Sequence, residues 1–167
     1  MKAKKLPELR VINDLIHYDS DTGVFTWKKD RGAIAKKGDP LRQVDSKGYP
    51  RVKIAGKKYL LHRIAYYLYY GEEPEFIDHI NNIRSDNRIV NLRACTLSQN
   101  GFNVGLSSRS TTGVKGVTWS KASKKYQCSI KVKGKSFYFG LYDDLELAEL
   151  VAMEARLKFH GSFARHS

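Results

Sequence analysis

The chain predicts an α+β protein of two units. The first is a mixed unit that ends in a strand, loop, strand and helix; the second is a small three-stranded antiparallel sheet with one helix. Three observations carry this reading. Apolar residues switch repeatedly between helical and alternating spacing before residue 100. A run rich in serine, threonine and glycine, residues 101–112, then interrupts every pattern. Beyond it Tyr126, Cys128, Ile130 and Val132 alternate with Gln127, Ser129, Lys131 and Lys133, the period of a half-buried strand. The boundaries follow as 1–104 for the first domain, 105–112 for the linker and 113–167 for the second domain.

Leu9, Ile12, Leu15 and Ile16 have helical spacing and precede the turn-forming run Asp19 to Gly23, so a short helix opens the chain. A strand over Val24 to Lys28 and a polar loop through residues 30–40 come next. Tyr49, Val52 and Ile54 lie in a β-like run that turns at Gly56 and returns at Tyr59 to Leu61 as a hairpin. Ile64, Ala65 and Leu68 then restore helical spacing, which Gly71 stops. Phe76 to Ile80 reads as a strand, Asn81 to Val90 as a polar loop and Leu92 to Cys95 as a second strand. Thr96 with Gln99 has the spacing of a capping box, placing Asn100 in the first turn of a helix. In the second unit the strands are Val114 to Trp119, the alternating run already named, and Ser136 to Tyr142, with a turn at Lys133-Gly134. The last helix opens at Asp143 or Asp144, carries Ala148, Val151, Ala152, Ala155 and Phe159 on one face, and closes at Gly161. One helix covers one sheet face, and Lys131 and Lys133 point from the other.

Composition narrows the function. Residues are 41% hydrophobic and 28% charged, which excludes a disordered chain. Cys95 and Cys128 are far apart and form no CxxC pair, so neither a disulfide framework nor a four-cysteine zinc site is expected and a reduced, cytoplasmic protein is. The basic N-terminus runs into Pro7, Glu8 and Arg10 with no apolar signal core, and Tyr59 to Tyr70 is too short and too polar to span a bilayer. No export and no membrane partner are expected. The net charge of +13 suits a polyanion such as nucleic acid. It is shared, with 19 basic against 12 acidic residues through residue 107 and 11 against 5 after it.

The segment from Phe76 to Asn100 gathers the groups that phosphodiester hydrolysis needs. His79 titrates near neutrality and can take a proton from water. Asp78 offers a hard oxygen ligand and the Asn100 amide another, a set that suits Mg²⁺ better than zinc and also accepts Mn²⁺. The same residues admit a plainer reading, in which Asp-His followed by asparagines is turn chemistry and Asn91 merely satisfies backbone groups. Adjacent strand residues face opposite ways, so Asp78 and His79 work at one phosphate only where the strand ends. His62, beside Leu61 and Ile64 at a helix start, reads as structural, although with Arg63 it can contact phosphate.

Asp78-His79-Ile80, Asp86-Asn87-Arg88, Asn91-Leu92-Arg93 and Gln99-Asn100, preceded by the Tyr18 to Trp27 lead-in, Lys47-Gly48-Tyr49 and Leu61-His62-Arg63, resemble the HNH endonucleases. The likeness is to the phage-type, homing-like subgroup in which asparagine replaces the last histidine. The resemblance implies a ββα-metal domain with His79 as general base, Asn87 orienting its imidazole, and Asp78 and Asn100 holding the catalytic metal. It further implies that Arg88 and Arg93 face double-stranded DNA and that cleavage leaves a 3′-hydroxyl and a 5′-phosphate. A phage or mobile-element origin and action in a bacterial cytoplasm are implied by the same likeness. Cutting both strands from one site would take a homodimer or two visits.

Between Lys115 and Lys135 there are seven lysines and no acid, while all five acids of this part lie between Asp143 and Glu154. A lysine-bearing sheet face can enter the major groove; a lysine-rich edge that discourages aggregation is the plainer account. Gly113-Val114-Lys115-Gly116-Val117, Lys125-Tyr126, Ile130, Phe139-Gly140 and the alanine-rich helix resemble the AP2 DNA-binding domain of plant transcription factors, also found fused to phage HNH nucleases. The resemblance implies DNA contacts from Lys115, Lys131 and Tyr138, with Lys133 added by its place on the same face. Thr118, Ser120, Ser129 and Ser136 stand where plant members use arginine or glutamate, so phosphate affinity rather than base readout is expected of this module. The whole chain therefore reads as a metal-dependent DNA endonuclease tethered by a basic sheet. Its rivals are a DNA-binding regulator on an inactive nuclease fold and an RNA-directed nuclease.

Overall fold

The computed structural model describes residues 5–102, 105–108, 110–132 and 134–164. By contacts the chain divides into two compact units, Met1–Thr96 and Leu97–Ser167.

In the first unit, helix α1 spans Leu9–Leu15 and stops because Ile16 is already extended, at φ −131° and ψ 136°. The chain passes directly into strand β1, Ile16–Tyr18, where sequence spacing carried the helix one residue further and expected no strand. Strand β2, Phe25–Trp27, pairs antiparallel with it, Tyr18 opposite Phe25. The joining turn is held by Asp19, whose Oδ1 accepts from the backbone N–H of Asp21 and Thr22 at 2.9 and 3.2 Å.

Strands β3, Arg51–Ile54, and β4, Lys57–Leu60, form the expected hairpin. Ala55 and Gly56 both have positive φ, 45° and 77°, as the twist-matching two-residue hairpin turn requires. Helix α2, Leu61–Tyr70, follows without a break and ends where Gly71 turns left-handed at φ 73°. Strand β5, Phe76–His79, pairs antiparallel with β6, Leu92–Cys95, and a short 3-10 turn, Ile89–Asn91, ends the loop between them. Ile12, Ile16, Phe25, Val52, Ile54, Leu61, Ile64 and Leu92 make the buried core under these hairpins.

The second unit begins with the short helix α3, Leu97–Phe102. Strands β7, Val117–Ser120, β8, Lys125–Val132, and β9, Lys135–Tyr142, form an antiparallel sheet in that order. Helix α4, Leu145–His160, packs Ala148 and Ala152 against Val117 and Cys128. Asp144 caps it by accepting from the N–H of Glu146 and Leu147. The first strand starts at Val117, not at Val114 as spacing suggested, because Gly113 and Gly116, at φ 72° and 82°, turn the chain before it. Arg156, 1% exposed, donates from Nη1 to the carbonyl of Lys115 at the end of that turn.

One irregularity decides which side chains face outward. A β-bulge lies between Cys128 and Ser129, which pair with Gly140 and Tyr138 and leave Phe139 as the extra residue. Strict alternation back from Tyr142 would turn Tyr138 inward; the bulge puts Phe139 into the core and leaves Tyr138 61% exposed. No helix among the described residues is long and apolar enough to cross a membrane.

Ile64 is fully buried in the first core, so Ile64→Ala is expected to cost about 2–5 kcal/mol of that unit's stability. Trp27 reports on the first unit and Trp119 on the second, so urea unfolding by fluorescence in Trp119→Phe and Trp27→Phe backgrounds checks this. The loss is expected only in the transition that Trp27 reports.

Candidate active site

Strand β5 stops at His79. Ile80 N–H donates to the carbonyl of Asn91 at 2.9 Å, and Asn82, at φ 60°, folds back to donate to the carbonyl of His79 at 2.9 Å. The end of the strand therefore falls at the position that two consecutive side chains need if they are to serve one place. Asp78 and His79 are each 5% exposed and Asn87 is 2% exposed, an unusual concentration of buried polar groups in so small a unit.

The hydrogen-bond partners explain how that burial is tolerated. Asp78 stands opposite Arg93 on the ladder, and its Oδ2 accepts from Nε at 2.9 Å and Nη2 at 2.7 Å of that guanidinium. His79 Nε2 lies 3.3 Å from Asn87 Oδ1. An amide oxygen only accepts, so Nε2 carries the proton and Nδ1 is the lone-pair nitrogen of the neutral ring. Burial holds the imidazole below the usual histidine range, against the Asn87 hydrogen bond and the Asp78 charge, which favour its protonated form.

The loop from Asn81 to Asn91 is a polar lattice. Asn91 Oδ1 accepts from the N–H of Asn81 at 2.9 Å, and its Nδ2 donates to the carbonyl of Asp86 at 2.8 Å. Asp86 accepts from Asn81 Nδ2 at 2.7 Å and from Arg88 Nε and Nη2 at 2.8 and 2.6 Å. Arg88 foremost holds the Asp86 carboxyl down at about 2. For Asn81, Asp86 and Asn91 the turn-forming reading of the sequence describes what the side chains do.

On another side of His79 lies a residue that the sequence reading set aside. The His62 ring, 6% exposed, meets the His79 ring edge-on at a centroid distance of 5.1 Å. Tyr49 closes the group at 5.5 Å from His62 and 6.1 Å from His79. Burial first, then the charges of His79 and Arg63, push the His62 imidazole down to about 3, and its Nδ1 has no hydrogen-bond partner among the described residues. His62 is thus a neutral wall of the site. Its signal in the sequence is the triplet Leu61-His62-Arg63 at the helix start.

The structure brings Asp78, His79, Asn87 and Arg93 together in the first unit. Arg88 lies in the same loop, with its guanidinium on Asp86. Asn100 is on α3, in the second unit. On the second unit's sheet, Lys131 is exposed beside Ser136, and Tyr138 pairs with Ser129. Lys115 is half-buried in the turn before β7 rather than on a strand, and Lys133 lies outside the described residues. Among the described residues no group of three or more histidine, cysteine, aspartate or glutamate side chains gathers around one point. A zinc-type ligand set is therefore not built from them.

Both buried imidazoles hold protons less well in the folded chain than in the unfolded one. Their contribution to stability is whole above pH 6.5 and drains as pH falls below it, for His62 down to about 3. The urea midpoint of the first unit is expected to drop between pH 6.5 and 4, and to drop less in His62→Gln, which cannot take up the proton. An unchanged slope in that variant would mean that His62 is not held neutral.

A family model for HNH endonuclease matches residues 59–102. Protein 3.8 of Escherichia phage T7 is 31% identical over 90 residues, a match that covers 54% of this chain and 74% of that protein. HNH nucleases generally use a divalent metal ion and act on nucleic acid, which fits a buried histidine beside a carboxylate. With strands β5 and β6 and helix α3 inside the matched residues, and a phage relative of which it spans about three quarters, the chain belongs to the HNH endonuclease family.

Proposed function

We propose that this chain is a metal-dependent DNA endonuclease in which His79 is the general base. The observation that carries the reading is the His79–Asn87 pair: a buried imidazole held by an acceptor-only oxygen, so that Nδ1 is the nitrogen able to receive a proton from water. Burial keeps that ring neutral at physiological pH, the form a base must have.

The donor set fits a hard, largely hydrated cation. Asp78 supplies one buried carboxylate, and the family likeness adds the Asn100 amide as a second oxygen ligand; one or two protein oxygens with water completing the shell suit Mg²⁺ or Mn²⁺ and not zinc. When bound, the ion stabilises the charge that develops on the phosphate and the leaving oxygen. The protein's own part is to orient the base through Asn87, to hold the Asp78 carboxylate in place beside Arg93, and to hold the loop through Asp86, Asn91 and Arg88. The products are a 3′-hydroxyl and a 5′-phosphate.

The second unit supplies DNA affinity as an AP2-like module. Its outer sheet face presents Lys131 and Tyr138, while Asp143, Asp144, Glu146, Glu149 and Glu154 lie on or next to α4. Such a module raises the local concentration of the nuclease at DNA without adding to the chemistry. We place the protein among the phage-type, homing-like variants, working in the cytoplasm of a bacterial host, and double-strand cutting would follow from a homodimer or from successive nicks.

Incubation of supercoiled plasmid with Mg²⁺ tests the reading. Nicking is expected with wild type and not in excess chelator, and His79→Ala is expected to lose about 10²–10⁴-fold in rate while still binding DNA. A wild-type protein that binds and never cuts, with Mg²⁺ or Mn²⁺, would leave a DNA-binding regulator on an inactive nuclease fold.

Lys131→Ala is expected to weaken DNA binding at low salt and to reduce the slope of log affinity against log salt by about 1, with the maximal cutting rate unchanged. A full salt slope in that variant would remove Lys131 from the interface.

A further inference from the structure

The N-terminal hairpin stands outside the residues that the family model matches, yet its turn is fastened to the residue on which the proposed base depends. Three contacts do this. The Tyr18 hydroxyl donates to the backbone carbonyl of Asn87 at 2.7 Å. The N–H of Ile89 donates to the carbonyl of Ser20 at 3.0 Å. At Gly23, a Cβ would come within 2.5 Å of the Arg88 nitrogen and 2.8 Å of the Asn87 carbonyl carbon, so the two backbones touch there with no room for a side chain. Gly23 also has φ 73°, which an L side chain adopts only at a cost.

We infer that the turn from Tyr18 to Gly23 is a positioning clamp for the nuclease site, holding Asn87 so that its amide fixes the His79 ring. The inference rests on His79 as general base. The His79–Asn87 contact, at 3.3 Å, is already long for a hydrogen bond, so a backbone drift of about half an ångström would lose it. The loop's own hydrogen bonds, through Asn81, Asp86 and Asn91, join loop residues to one another and do not anchor Asn87 to the core. The clamp does, because its own direction is set by the core: the Tyr18 ring stacks on Phe25 at 4.5 Å, and Phe25 is 3% exposed. Burial, foremost, also raises the Tyr18 phenol well above its ordinary range, so it remains a donor wherever the nuclease works. Tyr18 touches no reacting atom in this scheme and acts through Asn87.

The experiment uses the full chain. Tyr18→Phe keeps the ring and its stack on Phe25 and removes one oxygen, so the urea midpoint is expected to stay close to wild type. Its kcat for plasmid nicking is expected to fall about tenfold with KM and DNA affinity unchanged, since geometry and not binding is lost. In an Asn87→Ala background the same change is expected to have no further effect, because the bond it protects is gone. Independently of cutting, ¹⁵N shifts of the His79 ring are expected to show the Nε2–H form in wild type and a mixture of tautomers in Tyr18→Phe. Gly23→Ala, which forces the two backbones apart, is expected to shift the tautomers in the same direction. A Tyr18→Phe protein with wild-type kcat, a loss that adds in full to that of Asn87→Ala, or an unchanged tautomer would each overturn the clamp. If wild type does not cut DNA at all, the nuclease reading fails, and the ring shifts still decide whether the turn holds His79.

Discussion

Of all the contacts in the first unit, the one between His79 Nε2 and Asn87 Oδ1 is the one that gives the others a purpose. A neutral imidazole has two nitrogens of opposite character, and which one receives a proton is decided by what the other one touches. An acceptor-only oxygen at Nε2 removes the choice. Everything around the pair serves to keep it: strand β5 ends at His79, Asn91 and Asp86 hold the loop that carries Asn87, and the turn after β1 abuts that loop. Because Asn87 and His79 are eight residues apart while Tyr18 is 69 residues from Asn87, the local bond depends on a distant contact.

The electrostatics around the pair are economical. Asp78 and Arg93 neutralise one another across the β5–β6 ladder, and Asp86 and Arg88 do so within the loop. His62, packed on His79, is driven neutral by burial, so a second positive ring does not compete with protonation of the first. A charged neighbour at a centroid distance of 5.1 Å in a buried site would drive the His79 imidazole further down and weaken it for its proposed role as a base. The wall of the site is therefore a histidine that behaves as an apolar ring, and its place at the start of α2 is compatible with that role because the helix brings Leu61, Ile64 and Ala65 into the core around it.

Sequence made some of this plain and hid the rest, for physical reasons. Strands β5 and β6, the loop asparagines, helix α4 with its Asp144 cap and the alternation along β8 were legible because each is a local pattern. Strand β1 was not, since Ile16 satisfies both the helical spacing of α1 and the first inward position of a strand, and only tertiary pairing with Trp27 decides between them. The bulge at Cys128 and Ser129 was not, because one extra residue leaves no periodic trace, although it alone allows Tyr138 to face outward beside Ser129. The carboxylate partners of Arg93 and Arg88, both expected to face DNA, were not legible either: Arg93 meets Asp78 across the ladder, and Arg88 meets Asp86 two residues away in the loop. A histidine flanked by apolar residues reads as structural, and only the fold shows that the ring His62 packs against is that of His79, the proposed base.

The pairing of those two arginines bears on how such a chain engages DNA. A site whose guanidinium groups are engaged with its own carboxylates has little net attraction for a phosphate, and attraction is what brings a polyanion to a buried base. In the proposed function that attraction comes from elsewhere in the chain, from lysines that have no acid beside them in sequence between Lys115 and Lys135. The second unit keeps its acids on α4 and just before it, where Asp143 pairs with Lys125, and buries Arg156 against a backbone carbonyl, leaving Lys131 exposed on the sheet. On the proposed function affinity and chemistry are separable: a change on the sheet alters how often DNA arrives, and a change at the loop around Asn87 alters what happens once it is there.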